Sequence, residues 1–200
     1  LKAYEADMRN LLDRYIQADD SEVISKFGDM PLIDIIVNSG ISDAIANLPD
    51  GIKGNKDSVA ETIENNVRSK IIKDHLLDPA YYEKMSVLLD EIIKKRKEKA
   101  LEYEAYLQEI ADLASKVAAG KVDDTPETLN TSAKRALYNN LGANESLALQ
   151  IDAAVRLIKP AGWRGNQAKE NIIKKAIWKI VADTDEVERI FDIVKQQSEY

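Results

Sequence analysis

Between residues 80 and 119 the chain runs for forty residues without a glycine or a proline. Within that stretch Met85, Leu89, Ile92, Arg96, Lys99, Tyr103, Tyr106, Ile110, Leu113 and Val117 follow one another at alternating steps of four and three. Such a rhythm places them along a single seam of an α-helix and excludes a strand, whose faces alternate every two residues. The seam is apolar at both ends and basic in the middle, at Arg96 and Lys99. Two readings follow: one long helix with a wet centre, or an antiparallel hairpin turning near residues 97–101. The absence of any helix breaker favours the long helix. Either way, two apolar half-seams require partner helices.

The remaining sequence supplies them. Residues 2–18 and then 21–27, 31–38 and 41–48 read as helices, punctuated by Gly28, Gly40 and Pro49-Asp50-Gly51. Ser58 and Glu61 have the spacing of a capping box, and behind them Val59, Ile63, Val67 and Ile71 recur every four residues. Asp78-Pro79 is a helix start, since Asp accepts from a free first-turn N–H and proline needs no partner at the first helical position. Residues 120–131, GKVDDTPETLNT, mark a change of composition. Beyond them come helices over 132–141, 144–158, 167–182 and 185–198, with Asp183 and Glu186 repeating the capping spacing. The expected architecture is all-α. A helical subdomain over residues 1–119, which includes the 80–119 segment, and a linker over 120–131 precede a four-helix subdomain over 132–200.

Composition agrees. The chain has 200 residues, 44% hydrophobic and 32% charged, with only 8 Gly and 5 Pro, the profile of a folded helical protein. It contains no cysteine, which excludes disulfides, zinc–thiolate sites and thiol chemistry. It lacks an apolar run of the roughly 18–20 residues needed to span a bilayer, and no signal peptide is recognisable, so the expected location is cytoplasmic. Its first residue is Leu1, at the head of an amphipathic segment, and the chain reads as a piece of a longer protein. The net charge of −7 argues against a free-standing nucleic-acid binder, though not against local basic patches.

The chemical inventory is sparse. A single histidine, His75, reads as a surface or boundary residue. Gly51-Ile52-Lys53-Gly54-Asn55-Lys56 resembles a phosphate loop in composition but lacks its spacing and a preceding strand, and reads as a turn. The acidic pairs Asp19-Asp20, Asp123-Asp124 and Asp183/Asp185 fall in loops or helix starts, where carboxylates favour the positive end of the helix dipole. No catalytic, cofactor-binding or metal-binding residue is therefore assigned. Two features remain as interaction candidates. The basic run Lys94, Lys95, Arg96 and Lys97, closed by Lys99, would suit a DNA backbone, although Asp90 and Glu91 stand four residues upstream in the order that favours helix ion pairs. A second lysine cluster, Lys169, Lys174, Lys175 and Lys179, raises the same choice between solvated face and contact. Trp163 and Arg164, between Gly162 and Gly165, either fill a core or present a partner anchor, because Trp and Arg are enriched at interface hot spots.

Taken as whole strings, seven segments resemble the C-terminal region of the restriction (R) subunits of type I restriction-modification enzymes. They are FGDMPLIDIIVNSG at 27–40, IENNVRSKII at 63–72, DPAYYEKMSVLLDEII at 78–93 and EYEAYLQEIADL at 102–113. LNTSAKRALYNNLG at 129–142, GWRGN at 162–166 and IFDIVKQQSEY at 190–200 complete the series. The resemblance implies a parent subunit with a nuclease domain, two ATP- and Mg²⁺-dependent motor lobes and a helical tail. It implies for this chain a non-catalytic scaffold that docks the motor subunit onto the methyltransferase and specificity subunits, meeting DNA through the parent complex and no membrane. The alternative is a module that guides the duplex during translocation.

Overall fold

A computed structural model describes residues 31–122 and 124–200. The helices expected over 2–18 and 21–27, and the acids Asp19, Asp20 and Asp123, lie outside the described residues. Those described form ten helices and no strand: α1 (Leu32–Ser39), α2 (Ile41–Ala46), α3 (Asp50–Lys53), α4 (Lys56–Asp74), α5 (Pro79–Lys97), α6 (Tyr103–Ala119), α7 (Ser132–Asn140), α8 (Glu145–Ile158), α9 (Gln167–Val181) and α10 (Thr184–Gln196). The protein is all-α, as its sequence leads one to expect.

Most helix starts are set by one side chain each. Asp78 accepts from the Tyr81 amide, Asn144 from Leu147, Asn166 from Lys169 and Asp183 from Glu186. Each satisfies a first-turn N–H that has no partner inside its helix. At α4 the cap differs from the expected Ser58. Asn55 takes the role, its Oδ1 accepting from Asp57 N at 2.8 Å and Ser58 N at 3.3 Å, so Ser58 lies inside the first turn. The Gly51–Lys56 segment is likewise not a plain turn, because it holds the one-turn helix α3 before that cap.

Residues 80–119 are two helices, not the single long one that the missing breaker favours. The reversal lies at the alternative position, around residues 98–102. Lys99 adopts a left-handed φ of +53°, its amide bonding to Arg96 O at 3.0 Å while the Ala100 amide reaches Lys95 O at 2.9 Å. This pair of bonds closes the helix end in the manner usually reserved for glycine. Packing explains why the strain is tolerated. The turn folds α6 back onto α5, burying Met85, Leu89 and Ile92 from one arm with Tyr106, Ile110, Leu113 and Val117 from the other. Each such side chain contributes roughly 1.5–3 kcal/mol when fully removed from water, so that together they far outweigh the roughly 1–2 kcal/mol cost of one left-handed residue.

Helix α4 packs against both arms through Val59, Ala60, Ile63, Val67 and Ile71, and α1 lies across α6 and α4. A second core joins α7, α8, α9 and α10 around Leu137, Ile151, Val155, Ile173, Ile177, Ile190 and Val194. Polar side chains connect the two. The buried Asp78 carboxylate accepts from Asn139 Nδ2 at 2.6 Å and Asn140 Nδ2 at 2.7 Å, while Asn140 Oδ1 accepts from the Ala80 amide at 3.2 Å. Burial pushes the Asp78 carboxyl up to about 6, against the lowering effect of these donors. Gln197 Nε2 donates to Leu77 O at 2.6 Å. The segment between α6 and α7 is held from both sides: Arg135 donates to Gly120 O and Leu129 O, and Tyr81 Oη donates to Lys121 O as well as to Lys116 O in the last turn of α6.

Candidate interaction surface

The basic run divides into side chains with structural partners and side chains turned to solvent. Arg96 points inward, its side chain 12% exposed, and grips Glu64, 7% exposed, through Nε–Oε1 at 2.8 Å and Nη2–Oε2 at 3.2 Å. Its third nitrogen reaches Asp57 at 3.0 Å, and Tyr106 Oη donates to Glu64 Oε1 at 3.1 Å. The Glu64 hydrogen bond holds the Arg96 guanidinium above its ordinary range. Arg96 is thus the polar centre of the first core and has no face to offer a phosphate. Lys95 pairs with Glu109 on α6 at 3.3 Å, and Asp90 pairs with Arg68 on α4 at 2.6 Å, so ion pairs between helices replace the expected pairs along one helix. Lys94, Lys97 and Lys99 are exposed and make no ion pair among the described residues.

Trp163 and Arg164 serve the chain's own fold. Trp163 is 2% exposed, stands edge-on to Phe191 with ring centroids 5.8 Å apart, and donates from Nε1 to the main-chain oxygen of Tyr200 at 3.1 Å. Arg164 stacks over the indole at 4.5 Å and donates from Nε to Lys195 O at 2.9 Å and from Nη2 to Gln197 O, satisfying carbonyls at the end of α10. Tyr200 is itself buried, its hydroxyl donating to Asp152 at 2.7 Å. The loop between α8 and α9 therefore clamps the last helix, and Trp163 as a surface anchor does not fit its burial.

The other candidates resolve in the same way. His75 is partly exposed, 3.8 Å from Glu83. Lys169 caps Ala161 O at 2.6 Å, and Lys174 pairs with Glu188 while lying over the Phe191 ring. Asp183 caps α10 and Asp185 sits in its first turn. Among the described residues no group of three His, Asp or Glu side chains converges as a metal site. None of their helices is long and apolar enough to cross a membrane.

Lys175 and Lys179, the other two members of the second lysine cluster, border a surface whose apolar part carries no sequence motif. Between α8 and α9 lies an open groove of about 520 Å³ walled by Ala154, Leu157, Ile158, Ile172, Ala176 and Ile180, with Lys175 and Lys179 beside it. Leu157 is 90% exposed, and Ile158, Ile172 and Trp178 are each at least two-fifths exposed. The sequence signal was α8 itself, whose Leu147, Leu149, Ile151, Val155, Leu157 and Ile158 are spread around the helix. A helix apolar on more than one face needs more than one partner. No family model matches the chain, and no curated protein or solved structure is significantly similar to it.

Proposed function

We propose that this chain is a docking module: the helical C-terminal part of the R subunit of a type I restriction-modification enzyme, tying the motor–nuclease subunit to the methyltransferase core. The observation that carries the docking role is the α8/α9 groove, whose apolar wall includes a leucine 90% exposed. Contiguous exposed apolar side chains are a common feature of interaction sites, and that supports the docking reading. The ordered resemblance of seven segments to R-subunit tails supports the family. On this reading ATP and Mg²⁺ belong to the motor lobes of the parent subunit, DNA is met through the assembled enzyme, and the setting is cytoplasmic.

The test is a pull-down of the chain against its cognate methyltransferase and specificity subunits, with salt titrated and DNA present or absent. Binding that resists salt and needs no DNA is the expected result. Failure to bind at micromolar concentrations rejects the docking role. A second reading rests on Lys94, Lys97 and Lys99, which stand exposed at one end of the hairpin. They would steer a translocating duplex through its phosphates, and that contact would weaken steeply with salt. Charge reversal of these three lysines that leaves translocation by the full enzyme unchanged rejects it.

A further inference from the structure

The α8/α9 groove has a charge opposite to that of the chain it belongs to. The protein carries a net charge of −7, yet both charged residues along the groove are lysines, Lys175 and Lys179. They stand one turn apart on α9, about 6 Å along its axis. Between Ile172 and Ile180 the apolar wall extends about 12 Å, a little over two turns of a facing helix. Two packed helices that leave such a trough form the usual seat for a third amphipathic helix, read through apolar anchors at i, i+3 or i+4, and i+7. Lysines along the trough fix the sign of that helix's flank, since like charges there would be rejected.

We propose that the groove seats an acidic amphipathic helix of the partner subunit. Leucine, isoleucine or methionine side chains pack against Leu157, Ile158, Ile172 and Ile180, and carboxylates one turn apart face Lys175 and Lys179. This deepens the docking reading and rests on it for the partner's identity, while the chemistry of the occupant comes from the groove alone.

Binding is read from the fluorescence anisotropy of a labelled peptide. The full chain is titrated with an amphipathic peptide of about four turns, leucine on one face and glutamate elsewhere, and with its counterpart carrying lysine for glutamate. The acidic peptide is expected to raise the anisotropy and the basic one to leave it unchanged. Leu157→Asp, a change at an exposed position that leaves the fold intact by circular dichroism, is expected to weaken binding about 30-fold, the scale of an interface hot spot. Lys175→Glu with Lys179→Glu is expected to reverse the peptide preference. The same variants are then tested against the methyltransferase core. If the core binds Leu157→Asp as well as the parent chain, the groove proposal falls and the docking role stands. If the core does not bind the parent chain, the docking role falls and the peptide titration still decides the groove: equal response to both peptides, or to neither, overturns it. A dimer in sedimentation that Leu157→Asp converts to monomer would make the occupant a second copy, and would also overturn it.

Discussion

Replacing Arg96 by alanine separates the two meanings of the basic run more sharply than any other change. As a phosphate contact Arg96 would be dispensable for folding. As the structure has it, the side chain is 12% exposed and makes a two-pronged bond to Glu64, itself 7% exposed. Removing one member of a buried pair leaves the other charged and poorly solvated, which costs about 3–5 kcal/mol. The lower end applies here, because Asp57 is largely solvated already and Tyr106 Oη still donates to Glu64. Arg96→Ala is thus expected to destabilise the chain by about 3 kcal/mol, or about 6–12 °C for a protein of this size. Arg96→Lys keeps the charge but loses the fork, and should cost about 1–2 kcal/mol. Lys94→Ala and Lys97→Ala should stay within about 0.5 kcal/mol. The paired change Glu64→Leu with Arg96→Met should return to within about 1 kcal/mol of the parent, since an ion pair and a packed apolar pair of similar size are near parity. Urea unfolding followed by far-UV circular dichroism measures all five, with an unchanged slope certifying that midpoints report stability. An Arg96→Ala midpoint equal to that of Lys94→Ala would refute the argument.

Lys99→Gly is expected to stabilise the chain by about 0.5–1 kcal/mol, because glycine carries no penalty at a φ of +53°, and a lowered urea midpoint would count against the turn described. Asp78 sets a pH dependence. Its carboxyl lies at about 6 in the fold against an ordinary 3.8, so the folded state holds its proton longer than the unfolded one. Stability therefore falls as pH rises from about 4 to about 6, by about 3 kcal/mol, and is level above. Subtracting the urea profile of Asp78→Asn should isolate that slope, and a flat or rising difference would contradict it. Trp163→Ala should cost about 3–5 kcal/mol in thermal or urea unfolding, as expected for a buried aromatic, whereas a surface anchor would leave stability untouched.

The features legible in the sequence are those whose causes are local. Asp78 and Asp183 announce their helices because a capping oxygen reaches an amide only three residues away. The all-α class follows from side-chain periodicity, which needs no knowledge of neighbours. A reversal near Lys99 was one of two readings the seam allowed, and nothing local chose it over the single long helix, because its turn is closed by main-chain bonds around a residue that carries no turn signal. What drives it is burial between segments far apart in the chain, including Glu64 and Arg96. Asn55 took the cap from Ser58 for a smaller reason, since both residue types suit that role and the start of α3 and α4 decides between them. At the candidate surface, Trp163 could be read as core or anchor until Phe191 and Tyr200 were seen around it. The groove was hidden because exposure of Leu157 is a property of what does not pack on α8.

The Glu64–Arg96–Tyr106 cluster also distinguishes one alignment of the helices from its neighbours. On α4 the apolar side chains Val59, Ile63, Val67 and Ile71 repeat every four residues. Sliding that helix by one turn, about 6 Å, would replace each by another of nearly the same shape. An entirely aliphatic interface would tolerate several such alignments at similar energy. Glu64 breaks the tie: one turn either way brings Ala60 or Arg68 opposite Arg96, a void in one case and a second positive charge in the other. The cluster thus works as an address, which an aliphatic core of equal stability would lack.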